Sequence, residues 1–393
     1  MRRAAALRAA ALGAAAALAL ALGACASEPT QRTWSPKADL PPVQAPDPNL
    51  PNLDPMPGPT APTSPGATPS PGQTATVDDP AVMAKNLAAP IGLTMLPDGT
   101  ALVGERTTGR IVKVQPVAGQ PVDTVMTLTG LDAAGDGGLL DLALSPTYDQ
   151  DGLVLAYITT AQDNRVVHFT VGGVATPVLT GIPKGATGNA GRIAFDGAGN
   201  LLIATGTAGN PALAQDPASL AGKILRTDDL GRPIASNPKP GSPIWATGPA
   251  APTGLCIDPL DGQAYVVATG PDAVYAVTAG AVLSGPGAAA PVATLPADWP
   301  EAGGCAMGNL KLYVATLAGT SLIGAPSVGA DALTAFTPVL SETYGRLRTV
   351  VFAPDGALWL TTGNYEAGGT PGPDDERVIR IIDSSGGGGT DVV

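Results

Sequence analysis

Residues 90–117 read PIGLTMLPDGTALVGERTTGRIVKVQPV. Two short apolar runs flank Pro97-Asp98-Gly99, and a third run follows from Gly109 to Val114. Asp-Gly between apolar runs is a hairpin signal, because glycine accepts the left-handed backbone of a tight turn. The unit recurs loosely as GRIAFDGAGNLLIATGT (191–207), GLCIDPLDGQAYVVATGPDAVYAV (254–277), NLKLYVATLAGTSLIGA (309–325) and RTVVFAPDGALWLTTGN (348–364). Each copy reads strand, turn, strand, often with a third short strand behind it. Long amphipathic helices are absent. Such repeats over about 300 residues predict an all-β, six-bladed β-propeller, in which radial repetition protects the sheet edges. Two β-sandwiches are the alternative, which accounts less well for the recurring hairpins.

Ahead of the repeats the composition changes twice. Residues 1–24 open with Arg2 and Arg3 and continue as an Ala/Leu run from about Ala9 to Leu22. That run is too short for a comfortable membrane span and fits an export signal. It ends in Leu22-Gly23-Ala24-Cys25, which resembles a bacterial lipobox, whose cysteine is lipidated and becomes the new N-terminus. A plain signal peptide with an incidental cysteine is the other reading. Residues 25–80 form a Pro/Thr/Ser-rich linker without an apolar period, so they are expected to be a disordered tether. The expected arrangement is a propeller at 81–383, held on the outer face of the cell membrane by lipidated Cys25. The Gly-rich stretch 384–393 reads as a flexible tail.

Composition excludes several functions. The formal charge is −12 and no basic stripe appears, so nucleic acid is not an expected partner. A single histidine, His168 in NRVVHFTV, leaves little for a Ser-His-Asp triad or a His-rich zinc site. Its flanking Val167 and Phe169 place it on a strand with one exposed face. Once Cys25 is lipidated, Cys256 and Cys305 remain, and in an exported protein two cysteines invite a disulfide; two buried free thiols are the alternative. Asp374-Asp375-Glu376 reads as a solvated turn, with calcium binding as the sharper option. No metal site is expected elsewhere.

The motifs GDGGLLDLALSPTY (135–148), TGNAGRIAF (187–195), AQDPASLAGKILR (214–226), NPKPGSPIWATG (237–248), GRLRTVVFAPDGALWLTTGN (345–364) and GTPGPDDERVIRI (369–381) follow one another in order. Together they resemble the glucose/sorbosone dehydrogenase family, over about residues 88–382. With the lipobox and tether, the chain also resembles the LppZ-type actinobacterial lipoproteins. The family resemblance implies a six-bladed propeller whose active members oxidise sugars with pyrroloquinoline quinone (PQQ) and calcium. It also implies positions for the reacting groups. The family's base position, a histidine, is Gly188 here. The family's Arg-Asn pair is Ala250-Ala251, its cofactor lysine is Ala318, and its Thr-Gly-Asp is Thr205-Gly206-Thr207. The acidic turn near the calcium is reduced to Thr269-Gly270-Pro271.

Arg346 and Arg348 keep the family's cofactor-facing identity, and Asp136 stands where the family has Gln or Glu. Alternate residues of a strand share a face, so both arginines are expected at one cavity as a remnant anion site. The competing reading pairs them with solvent or with a carboxylate such as Asp136. The expected function is a catalytically degenerate, sugar-dehydrogenase-like lipoprotein. It would bind an unknown small anionic or polyol ligand, or an envelope protein, with no cofactor. The alternative is a working PQQ- and calcium-dependent aldose dehydrogenase with a rearranged site.

Overall fold

The structure, a computed structural model, describes residues 79–328 and 332–383. The expected signal peptide, Cys25, nearly all of the tether and the tail lie outside the described residues. Among the described residues, no helix is long and apolar enough to cross a membrane.

The chain enters as β1 (Val82–Ala84). Blade 1 follows as β2 (Pro90–Met95), β3 (Ala101–Glu105), β4 (Arg110–Val114) and β5 (Asp123–Thr127). Blade 2 is β6 (Leu139–Leu144), β7 (Leu153–Thr159), β8 (Asn164–Thr170) and β9 (Thr176–Ile182). Blade 3 is β10 (Gly191–Phe195), β11 (Leu201–Thr205), β12 (Lys223–Thr227) and β13 (Ile244–Thr247). Blade 4 is β14 (Pro252–Ile257), β15 (Ala264–Ala268), β16 (Ala273–Val277) and β17 (Ala293–Thr294). Blade 5 is β18 (Ala302–Gly308), β19 (Lys311–Thr316), β20 (Ser321–Pro326) and β21 (Thr337–Ser341). Blade 6 is β22 (Leu347–Phe352), β23 (Ala357–Thr362) and β24 (Val378–Ile382), and β1 returns as its outermost strand beside β24. The six antiparallel sheets therefore form a six-bladed β-propeller, closed by pairing the first strand with the last.

Local chemistry sets the first turn of several blades. Asp98 Oδ1 accepts the Thr100 amide at 3.0 Å, and Gly99 takes a φ of 81°. The same Asp-anchored turn recurs at Asp196, Asp258 and Asp355, which accept the amides of Ala198, Leu260 and Ala357. An aspartate that binds the backbone two residues on mimics a turn hydrogen bond, which is why these short signals were legible. All four turns join a first strand to a second, so they mark one face of the propeller.

The core lies between blades rather than within them. Six apolar clusters each combine residues from two neighbouring blades, for example Leu102, Ile111 and Leu128 of blade 1 with Leu139, Val154 and Phe169 of blade 2. Few aromatics are needed, because interdigitated Val, Leu, Ile and Ala fill the gap between two twisted sheets. Cys256 on β14 and Cys305 on β18 form a disulfide that ties blades 4 and 5 beside the axis, with Cα atoms 5.8 Å apart. His168 stands partly exposed on β8, the third strand of its blade.

Candidate functional site

Because the strands alternate in direction, the starts of the inner strands and the loops between second and third strands share the other face. Asp136, Gly188, Ala250, Ala251 and Arg346 all precede inner strands. Arg106, Thr207, Thr269, Ala318 and Glu366 all follow second strands. The inner strands of blades 1, 2, 4, 5 and 6 carry register irregularities at this same end. Bulges of this kind re-aim side chains and gather beside functional sites.

Gly188 is built into the backbone rather than presented to a cavity. Its φ is 74°, and a Cβ placed on it would stand 2.5 Å from the Gly209 nitrogen. Its amide donates to Asp136 Oδ2 at 2.6 Å, and its carbonyl accepts from the Ala208 amide at 2.8 Å. Asn189, fully buried, donates from Nδ2 to Asp136 Oδ1 at 2.6 Å. The structure therefore does not bring Asp136 to Arg346 and Arg348: its carboxylate is engaged by the 188–189 turn. The guanidinium that feels its charge is Arg106, which donates to the carbonyls of Gly135 and Gly137.

Arg346 and Arg348 lie close enough for the charge of one to act on the other, but neither is among the residues lining the axial cavity or the open cleft described below. Arg346 lies just before β22, and Arg348 sits in the irregularity between Leu347 and Thr349. Asn364 fixes the first by accepting the Arg346 amide at 2.7 Å. Arg346 Nη2 pairs with Glu301 Oε2 at 2.7 Å, and Arg348 Nη2 pairs closely with Glu366 Oε2. In both arginines Nε is buried and has no hydrogen-bond partner. Burial, followed by the charges of Arg192, Arg346 and Arg106, pushes Arg348 down to about 9. At neutral pH the group remains charged, with Glu376 acting in the opposite direction to the neighbouring arginines.

Arg192 belongs to the ring beneath. It donates from Nε to the Thr253 carbonyl at 2.6 Å and from Nη1 to the Leu140 carbonyl at 2.7 Å, tying three inner strands together. It lines an axial cavity of about 80 Å³ to which all six inner strands contribute, including Leu93, Asp141, Gly304 and Thr349.

The acidic turn 374–376 differs from the solvated turn expected. Asp375 and Glu376 are buried, because each is consumed in holding the loop before β24. Asp375 pairs with Arg377 at 2.7 Å and accepts the Gly372 amide. Glu376 accepts the Thr362 hydroxyl and the Tyr365 amide, both at 2.5 Å, and so sets the loop that carries Glu366. Glu366 in turn walls an open cleft of about 560 Å³ together with Arg106, Thr107, Tyr365 and Asn86. Sequence reading missed Glu301, Glu366, Arg106 and Arg192. For Glu301, Glu366 and Arg106 the only signal was a charged residue in a loop, and for Arg192 a charged residue in the inner strand β10.

Residues 87–281 match the family model described as Glucose / Sorbosone dehydrogenase. The aldose sugar dehydrogenase YliI of Escherichia coli is 29% identical over 209 residues, covering 48% of this chain and 56% of that protein. An uncharacterized protein of Synechocystis is 28% identical over 220 residues, covering 47% and 52%. The chain thus spans about half the length of the curated relatives it matches. Solved structures cover more. The PQQ-bound aldose sugar dehydrogenase of Streptomyces coelicolor is 34% identical, with a TM-score of 0.71 over 76% of this chain and 95% of that one. A glucose dehydrogenase-type putative oxidoreductase of Thermus thermophilus is also 34% identical, with a TM-score of 0.69 over 76% and 98%.

Proposed function

The chain belongs to the glucose/sorbosone dehydrogenase family, and from that premise we propose that it keeps the family's propeller as an anion-binding module and has lost sugar oxidation. The observation that carries this reading is Gly188. Removing hydride from a sugar hydroxyl requires a base for the hydroxyl proton. Glycine offers none, and the space a side chain would need is filled by the Ala208-Gly209 backbone. Ala250, Ala251 and Ala318 likewise offer neither charge nor hydrogen bonds from their side chains. Each lost charge-stabilising group commonly raises a barrier by about 3–4 kcal/mol, and a lost base slows proton transfer by about 10²–10⁴-fold.

PQQ, which the family implies, is poorly matched by the residues present, because Ala250, Ala251 and Ala318 stand where the family's cofactor-holding side chains would be. The two retained arginines are paired with Glu301 and Glu366. What supports a binding role is the pair of buried guanidiniums, Arg346 and Arg348, each with an Nε–H that has no hydrogen-bond partner.

In this proposal the propeller is a lipoprotein, anchored by Cys25 to the outer face of the membrane and held off it by the Pro-rich linker. The lipobox-like Leu22-Gly23-Ala24-Cys25 supports that placement. The function is tested by mixing the purified full-length chain with PQQ, excess calcium, aldoses and an electron-accepting dye. Dye reduction at background is the expected result. Sugar-dependent turnover would restore the alternative, a PQQ-dependent aldose dehydrogenase with a rearranged site.

A further inference from the structure

Trp245 sits at an irregular point of blade 3. β13 pairs with β12 through Thr247 with Lys223, Ala246 with Ile224 and Ile244 with Leu225, so Trp245 is the extra residue of a bulge in the outer strand. Bulges re-aim side chains. The Arg226 guanidinium lies 5.2 Å from the centre of the indole ring and is itself paired with Asp196. The indole Nε1–H is buried and has no hydrogen-bond partner. A buried tryptophan N–H usually finds an acceptor, so this one points to a contact that the chain itself does not supply.

Trp245 lines a cavity of about 220 Å³ beside β13. None of its lining residues lies on an inner strand, and it shares none with the axial cavity or the open cleft. The loop after β16 forms one wall. There the Gly280 amide donates to the Trp245 carbonyl at 2.7 Å, and the Ala281 carbonyl accepts the Thr247 amide at 2.9 Å. Ala214, Pro217 and Pro238 add apolar surface. Gln215 ties the 211–217 loop to blade 4 by donating from Nε2 to the Ser284 carbonyl at 2.9 Å.

The polar groups of this lining are mostly donors. Lys223 is only 2% exposed, and its Nζ donates to the carbonyls of Leu213, Ala214 and Ala221 at 2.8, 2.8 and 3.0 Å. Its protons are therefore held, yet among the described residues no carboxylate pairs with its charge. Burial pulls this lysine down and the charge of Asp216 holds it up. Lys239 is a second, exposed ammonium in the lining. Ser242 Oγ accepts the Ile244 amide at 3.3 Å and keeps its own proton to donate.

We propose that this cavity is a ligand site for a small organic carboxylate with an apolar body, whose carboxylate accepts the Trp245 Nε1–H. The site is separate from the arginine pair of blade 6 and stands whether or not that pair binds anything. Its volume is below the usual range for drug-sized ligands, about 300–1,000 Å³, so the ligand is one ring or a short chain. The donors and the two ammonium charges select an anion over an organic cation. A charge-assisted hydrogen bond is about twice as strong as a neutral one, so they also select it over a neutral molecule of the same shape.

The test uses benzoate as the probe and benzamide as its uncharged counterpart, with the full-length chain labelled with ¹⁵N. The chain has four tryptophans, and Trp245→Phe identifies the Trp245 indole N–H resonance by its loss. Benzoate is expected to move that resonance downfield as the N–H gains an acceptor, and to bind about tenfold more tightly than benzamide. Calorimetry should show benzoate binding weakened about tenfold in Trp245→Phe, which keeps an aromatic ring and removes the donor. The comparison of benzoate with benzamide uses the unaltered chain alone and does not depend on the variant. A Trp245 resonance that stays still while benzoate binds would place the anion elsewhere and overturn the proposal. Equal affinity for benzoate and benzamide, or undiminished benzoate binding in Trp245→Phe, would also overturn it.

Discussion

Arg192 Nη1 lies 3.8 Å from Asp141 Oδ1 in the ring of inner strands, too far to offset the burial of that carboxylate. Burial raises Asp141 to about 6, against the opposing pull of Arg192 and of the Ile193 amide. The folded chain therefore holds this proton more tightly than the unfolded chain does, so ionisation as pH rises from about 4 to 6 costs stability. The cost is on the order of 3 kcal/mol above that window. We expect Asp141→Asn to gain about that much relative to the unaltered chain between pH 4 and pH 7, whatever the offset between the two at pH 4. Urea unfolding of both chains across this range measures it. Carboxylates held low, such as Asp98 and Asp355, act in the opposite direction at lower pH, and they cancel because both chains carry them. A difference that does not change with pH would refute the assignment.

Gly188→His restores the family's residue type without restoring its chemistry. A side chain there must adopt a φ near 74° and push against the Gly209 backbone. The combined strain and overpacking should cost about 2–4 kcal/mol. Reduced unfolding midpoints and an unchanged dye-reduction background are the expected outcome. A variant as stable as the parent would show that the 185–190 turn has room that its contacts do not indicate.

The disulfide joins residues separated by 49 positions in sequence. By loop-closure entropy a bond of that span stabilises the folded chain by about 4 kcal/mol. Cys256→Ala with Cys305→Ala should lose about that amount in chemical unfolding, and reductant should then have no further effect. A loss below about 1 kcal/mol would mean that the interblade contacts alone fix blades 4 and 5.

The blade repeat was legible because its signals are local. Asp98-Gly99 and Asp355-Gly356 each close a turn within a few residues, and the flanking apolar runs fix the strands. The partners of the two arginines were not legible for the opposite reason. Glu301 reaches Arg346 from the loop before blade 5, and Glu366 reaches Arg348 from across a hairpin. Asp136 was the plausible partner by charge, yet the backbone amides of Gly188 and Asn189 claim it, and nothing in a residue's identity announces such a capture. The Asp375-Glu376 turn misled in the same way: acidic side chains suggest solvent until Thr362, the Tyr365 amide and Arg377 are seen around them.

Cys25→Ser should move the protein from the membrane fraction to the soluble exported fraction. Fractionation followed by immunoblotting decides it, and a variant that stays with the membrane would remove Cys25 as the anchor.

Pairing β1 with β24 gives biosynthesis a fixed order of events. Blades 1 to 5 can each assemble as their own strands emerge, since each is built from consecutive sequence. The sixth cannot, because one of its four strands leaves the ribosome first and the other three leave last. Until then Val82–Ala84 has no partner, and the apolar faces of blades 1 and 6 stay uncovered. A chain made from one end to the other must hold that open ring until its final strand arrives. The most vulnerable interval in this protein's life is thus the one between the appearance of blade 5 and the arrival of Ile382, when a protease or a neighbouring chain meets an unfinished circle.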